Sequence, residues 1–453
     1  MENTLITLSM IRMTRYPVLL FIRNVIQIMM IAIKQKIILA LIALSLINAN
    51  AQDVKYVRKQ IERLCSPEFH GRAYYKRGDS LAADYLAHQF DGFGLESFGS
   101  DYFQHYSFNV NSLDKVSLTI NGTPMEFGTD FMIHPSSSSL SGSFKPLLVD
   151  ASLMKSPARM AEELSNAGTH PFVVLDSLDL DNPELYRFVK TMTLNGQMRI
   201  SGVIELCSAL PIGRVGRSVY QGPCIYLNRK AVSGTIEKIV IDVQNRYYED
   251  YPTQNVIGFV PGKSEKVIVF TAHYDMLGSF GEGNYFPGAS DNASGTSMVL
   301  DLARHFSIGK KPYYSMAFML FSGEEAGLLG STHCVDQPLF PLEKIKLVIN
   351  LDMVGTGQEG VILFNAPQRP LEAAIVQKIN EENGYMKEVA EVKAKANSDH
   401  YPFHEKGIPA IFFLTKGRSG GGHNIFDSPD KLPLYGYENL FNLIIDLTRE
   451  LQH

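Results

Sequence analysis

Residues 266–275 read KVIVFTAHYD, residues 315–325 read SMAFMLFSGEE, and residues 346–352 read KLVINLD. Each is an almost unbroken apolar run that stops at a histidine or an acidic residue. A short apolar run rich in β-branched and aromatic residues reads as a strand buried on both faces. Three more runs have this texture: NVIGFV at 255–260, GVILFN at 360–365 and AIFFLT at 410–415. Helical patterns lie between them, the clearest at 293–306, 371–382 and 438–451. Apolar strands alternating with helices predict an α/β fold with a mixed, mostly parallel sheet covered by helices on both faces.

Upstream, residues 55–100 read as helical. The stripe Leu81, Ala82, Tyr85, Leu86 and Phe90 recurs with the helical period, and Gly92 and Gly94 end it. Between 112 and 236 the texture changes to short apolar or alternating runs (VSLTI, KPLLVD, PFVVLD, SGVIEL, CIYLN) separated by Gly, Pro, Ser and Asn, with one helix near 157–167. This predicts an inserted small strand-rich domain, in which NSLDK and PSSSSLSGS are polar and mobile. The chain is thus expected to divide into 1–51, 52–111, 112–236 and a catalytic part, 237–453.

Residues 34–51, KQKIILALIALSLINANA, combine basic residues, an apolar run at 37–47 and the A-x-A site Ala49-Asn50-Ala51. This is the pattern of a secretory signal peptide. The apolar run falls short of the roughly 20 residues of a spanning helix, so no stable membrane insertion is expected, although an uncleaved anchor is the alternative. The apolar stretch at 17–33 suggests a start at Met29 or Met30. Cleavage after Ala51 removes five basic residues and one acidic one. The net charge of −5 then becomes about −9, which suits an exported, periplasmic or extracellular protein. An acidic chain lacks the clustered Lys and Arg that nucleic acid requires. The four cysteines include no C-x-x-C pair, so a cysteine metal site is not expected; Cys207 and Cys224 could form a disulfide.

The chemistry sits just past the strands: His273 and Asp275, then Glu324 and Glu325, then Asp352, and a late His423. Asp291 stands before the helix at 293. In open α/β sheets ligands bind at the carboxyl ends of the strands, so these distant residues are expected to converge. Two histidines and several carboxylates without cysteine suit zinc or a similar divalent ion. Paired metals need one shared ligand and about two terminal ligands each, and this set provides them with one carboxylate to spare. His273 and Asp275, two apart on extended chain, point to one side, so Asp275 can accept a hydrogen bond from a metal-bound imidazole. Glu324 and Glu325 diverge, so that one can bind metal while the other holds a proton.

The ordered motifs H-x-D (273–275), SDNASG (290–295), SGEEAGLLGS (322–331), NLDMVG (350–355), SDHYPFHEKGIPA (398–410) and the late His423 resemble the co-catalytic dizinc exopeptidases. That family contains leucyl aminopeptidases, aminopeptidase Y, glutamate carboxypeptidase and glutaminyl cyclases. The segment 66–90 resembles the family's N-terminal opening, and the middle region more weakly resembles a protease-associated domain. The resemblance implies two zinc ions per chain, one on His273 and Asp352 and one on Glu325 and His423, bridged by Asp291. It implies Glu324 as general base acting on a zinc-bridging hydroxide, Asp275 supporting His273, and a cis peptide at Asp291-Asn292. It also implies peptide substrates, an aminopeptidase activity, and substrate contacts from His400 or Tyr401.

Other readings remain. A glutaminyl cyclase shares the fold but typically uses pocket tryptophans, and this chain has none. A carboxypeptidase would need cations for the substrate carboxylate, for which Lys416 and Arg418 are candidates. A receptor-like binding module would be expected to lack metal ligands. The serine of Ser398-Asp399-His400 is not read as a nucleophile, because three sequence neighbours rarely face one another.

Overall fold

A computed structural model describes residues 54–154, 156–167, 171–176, 191, 195, 200–417 and 422–452. Two helices, α1 (Val54–Leu64) and α2 (Gly78–Phe93), precede the sheets. Gly94, left-handed at φ 73°, stops α2 as expected, whereas Leu81 of the expected stripe is 40% exposed. The long strand β1 (Phe103–Ile120) is followed by β2 (Thr123–Pro124), β3 (Phe131–Ile133), β4 (Leu140–Phe144), β5 (Pro146–Val149), α3 (Ala151–Met154), α4 (Pro157–Asn166), β6 (Phe172–Asp176), β7 (Gly202–Cys207) and β8 (Cys224–Asn228). The remainder runs β9 (Ile239–Val260), β10 (Ser264–His273), α5 (Ser294–Ile308), β11 (Tyr314–Phe321), α6 (Leu329–Asp336), β12 (Ile345–Leu351), β13 (Gly360–Phe364), α7 (Pro370–Asn383), β14 (Val389–Val392), α8 (His400–Glu405), β15 (Ala410–Lys416) and α9 (Tyr437–Glu450).

The main sheet has the order β14-β13-β15-β12-β10-β11-β9-β1-β2, with β4 also on β9. Its centre, β15-β12-β10-β11, is parallel, and antiparallel strands flank it on both sides. The unbroken apolar runs lie in this centre because both sheet faces are covered. Ile268, Phe270 and Ala272 of β10 pack with α1, α2, α5 and α9 on one face. Val267 and Val269 pack with Cys334 and Val335 of α6 and Phe403 of α8 on the other. Alternate residues of a strand point to opposite faces, so one strand feeds both cores.

The second sheet, β3-β8-β7-β6-β5, lies within 131–228 and is parallel from β5 to β8. Both edges of the expected 112–236 insert fall near long strands: β1 runs through 112, and β9 begins at Ile239. NSLDK lies inside β1 with Asn111, Ser112 and Leu113 buried, so it is not a mobile link. Ser136 and Ser137 are buried as well, and the Asn111 amide donates to the carbonyls of Pro135 (2.7 Å) and Ser137 (3.0 Å). Serines misled the reading because buried hydroxyls and amides satisfied by backbone look like surface composition.

The Cys207–Cys224 disulfide is ruled out by register. Cys224 pairs with Val203, and Cys207 with Asn228. Four residues at about 3.3 Å each separate the two thiols by about 13 Å along the sheet, beyond the reach of a disulfide. All four cysteines are free and buried. No helix among the described residues is long and apolar enough to cross a membrane. The expected signal peptide, 1–51, lies outside the described residues.

Candidate metal centre

Four neighbouring parallel strands deliver the chemistry to one sheet edge. His273 is the last residue of β10, Asp352 follows β12 directly, the Glu324-Glu325 pair follows β11, and His423 follows β15. Asp291 lies in the turn Ala289–Ala293 that leads into α5, and the Asp291-Asn292 peptide is cis. The five expected ligands do meet. His273 Nε2 stands 3.3 Å from Asp291 Oδ1 and 3.4 Å from Asp352 Oδ1. His423 Nε2 stands 3.2 Å from Asp291 Oδ2 and 2.9 Å from Glu325 Oε2. Asp291 therefore turns one oxygen to each imidazole.

These separations fit ligands that could share an ion. Donors about 2.0–2.1 Å from a tetrahedral zinc stand roughly 3.3 Å apart. His273, Asp291 and Glu325 can bring ligand atoms within 4.8 Å of one another, as can His273, Glu324 and Asp352. Two buried carboxylate oxygens, Asp352 Oδ1 and Glu325 Oε1, have no hydrogen-bond partner among the described residues. A buried carboxylate left without a partner is costly, and a cation answers that cost. Gly422 shapes the same space: a side-chain carbon there would lie 2.5 Å from Asp291 Oδ2.

The electrostatics describe a well for positive charge. Burial lowers the affinity of His423 for a proton, but the carboxylates of Asp291 and Glu325 outweigh it and lift the pKa to about 11. His273 is likewise opposed by burial and raised well above the usual range by Glu324, Asp352, Asp275 and Asp291. Burial would raise Asp291, yet the two imidazoles hold it below the ordinary carboxylate range. Burial, then Asp291, pushes Glu325 up to about 7. Burial also pushes Glu324 well above its usual range, reinforced by Glu325, Asp399 and Asp352 against the pull of His273. Crowded carboxylates that resist ionising together will take up a proton or a metal ion.

Supporting groups fix the ligands. His273 Nδ1 lies 3.2 Å from the Asp275 carbonyl and 3.6 Å from its carboxylate. The Asp275 carboxylate in turn accepts the backbone N–H of Glu324 (3.2 Å) and Glu325 (3.3 Å). Asp275 thus orients His273 chiefly through its carbonyl, while its side chain aims the glutamate pair, a role the sequence did not suggest. Ser398 donates to Asp352 Oδ2 at 2.7 Å and accepts from the Asn350 amide at 2.8 Å.

Two supports escaped the sequence reading. Asp427 accepts the backbone N–H of Ser290 (3.0 Å) and of Asp291 (3.1 Å). Arg72, fully buried, donates to the carbonyls of Tyr274 (2.7 Å), Leu64 (2.9 Å), Pro287 (2.6 Å) and Gly288 (3.0 Å). It ties the turn carrying His273 and Asp275 to the turn before Asp291. The one available signal was HGR at 70–72, inside the segment quoted for the N-terminal opening.

His400 is not brought into the cluster. It is fully buried, its ring 4.9 Å from Phe412 and 6.2 Å from Phe364, and burial pushes its pKa down to about 3. Tyr401, half-buried, packs on His404 with ring centres 5.9 Å apart. Lys416 is engaged by Glu388. Arg418 lies outside the described residues.

Comparison with known proteins adds to this picture. Residues 255–448 match a family model described as Peptidase family M28. Aminopeptidase YwaD of Bacillus subtilis is 32% identical over 183 residues, 37% of this chain and 36% of that protein. A probable leucine aminopeptidase of Arthroderma benhamiae is 28% identical over 207 residues, 44% of this chain and 56% of that protein. The chain thus spans between about a third and just over half of the length of these curated relatives. Among solved structures, BSAP, a zinc aminopeptidase from Bacillus subtilis, superposes with a TM-score of 0.64 at 20% identity, over 88% of this chain and 95% of that one. A peptidase M28 precursor from Shewanella amazonensis gives 0.62 at 17% identity, over 88% and 93%. At these identities the two structures speak for the fold.

Proposed function

We propose, from the match of residues 255–448 to the model of peptidase family M28, that the chain is a two-zinc aminopeptidase that removes N-terminal residues from peptides. The observation that carries the proposal is the Asp291 carboxylate, with Oδ1 3.3 Å from His273 and Oδ2 3.2 Å from His423. A carboxylate that turns one oxygen to each of two imidazoles would be placed to serve both of two ion positions. His273 and Asp352 would hold one zinc, Glu325 and His423 the other. Bound zinc would supply Lewis acidity, lowering the pKa of water and polarising a peptide carbonyl.

The chain's own residues supply the rest. Glu324 binds no ion in this reading and stands beside the cluster. Its carboxylate takes the proton of the attacking water and hands it to the departing amine. Asp275 fixes the direction of Glu324 by accepting its backbone N–H. The free amine of the substrate would lie on the Glu325 and His423 side. Free amino acid released from unblocked peptides, and none from N-blocked ones, is the expected result; cleavage of N-blocked peptides, or release of pyroglutamyl product in its place, would count against the proposal.

We also propose export. Residues 34–51 support it with their basic, apolar and A-x-A parts. N-terminal sequencing of the exported protein is expected to begin at Gln52.

A further inference from the structure

Four of the five ligands stand on or beside a strand end, or are held there by backbone hydrogen bonds to Asp275 and Asp427. His423 is different. Its backbone is left-handed, φ 59°, at a position seven residues beyond the end of β15. What grips it comes from the small sheet. The connection 208–223 joins β7 to β8, and its Gly213 meets His423 twice. The Gly213 N–H donates to the His423 carbonyl at 2.9 Å, and the Gly213 carbonyl lies 3.2 Å from the His423 Nδ1. A carbonyl only accepts, so Nδ1 carries a proton, and Nε2, which faces Asp291 and Glu325, is the nitrogen left for an ion to bind.

The connection is itself anchored. The Gly216 carbonyl accepts the N–H of Asn111 in β1 at 2.8 Å. Gly213 is buried, and a side-chain carbon there would stand 2.4 Å from Leu277 Cδ1 and 3.0 Å from the Phe286 ring. Two residues past His423, Ile425 fits over Gly128, where a side-chain carbon would lie 2.5 Å away. Leu277, Phe286 and Ile425 belong to the apolar cluster that also holds β3, β7 and β8. The core of the small sheet is therefore continuous with the wall beneath His423.

We propose that the 208–223 connection is a working part of the metal centre: the Gly213 carbonyl holds the His423 ring in the tautomer that can bind an ion, and the small sheet thereby sets the affinity of the position shared by His423, Glu325 and Asp291. The inference rests on the reading of His423 as a metal ligand. Gly213 is a positioning residue, and the small sheet is then more than a cover. Hydrogen-bond partners of metal-binding histidines are worth 10–100-fold in metal affinity.

The test is Gly213→Val in the full chain, with Co(II) titrated into metal-free protein and followed by visible absorption and chelator competition. The expected result is about 10–100-fold weaker binding at one ion position and unchanged binding at the other. Adding Leu277→Ala makes room for the new side chain and is expected to restore most of the lost affinity; the same pair keeps the question open to measurement should Gly213→Val alone not fold. Unchanged affinities, or equal weakening at both positions, would overturn the inference. His423→Gln separates the two levels: if it leaves both positions at parental affinity, the ligand reading itself falls. If it abolishes one position while Gly213→Val does nothing, only the role of Gly213 falls.

Discussion

At the scale of single residues the account divides carboxylates by role. Glu325 and Glu324 are adjacent, yet only Glu325 reaches His423, at 2.9 Å. Glu324→Gln is therefore expected to retain both ions and to lower kcat by about 10²–10⁴-fold, the worth of a general base. Elemental analysis and steady-state kinetics on the same sample check it; loss of metal in that variant would show Glu324 to be a ligand. Arg72 tests the hidden supports. It satisfies four buried carbonyls, and each orphaned acceptor costs about 1–3 kcal/mol. Arg72→Met is expected to lower unfolding stability by more than about 3 kcal/mol, read by denaturant melts; a loss under about 1 kcal/mol would mean that water replaces the guanidinium.

Among the elements, α2 is pinned to β9 by a buried carboxylate. Asp79 accepts from the Tyr251 hydroxyl (2.7 Å) and the Thr253 hydroxyl (2.8 Å). Burial outweighs these bonds and lifts its pKa to about 6, above the ordinary value near 4. The folded state then binds the proton more tightly than the unfolded one. This contribution is full below about pH 4 and is lost as pH rises through about 6. The parent is expected to lose about 3 kcal/mol relative to Asp79→Asn across that window; parallel stability curves for the two would refute it. The elements were the most legible level of the sequence. The runs at 266–272, 315–321 and 346–352 became β10, β11 and β12, because burial on both faces leaves a pattern of types alone. The patterns at 371–382 and 438–451 became α7 and α9 within a residue or two of their ends. What escaped is what types do not encode. Asp427 and Arg72 act on backbone groups far along the chain, and the buried serines near 136 read as surface. Asp275 was legible as a partner of His273, but its hold on the glutamate pair depends on how β11 turns after Phe321.

At the scale of the whole molecule, six side chains spread over some 150 positions converge because four parallel strands end together. Strand order alone gathers His273, Asp352 and the glutamate pair, while Asp291 and His423 depend on Asp427 and the 208–223 connection, which left no signal in the sequence. Ions bound only by the folded chain stabilise it by mass action, so a chelator is expected to lower the melting temperature of the parent and to affect Asp291→Ala far less. The most direct test of the central claim is zinc content. After purification in zinc-replete buffer, the parent is expected to hold two zinc ions per chain, and Asp291→Ala fewer than one. One ion in the parent, or two in a chain without the Asp291 carboxylate, would contradict a centre bridged by that residue.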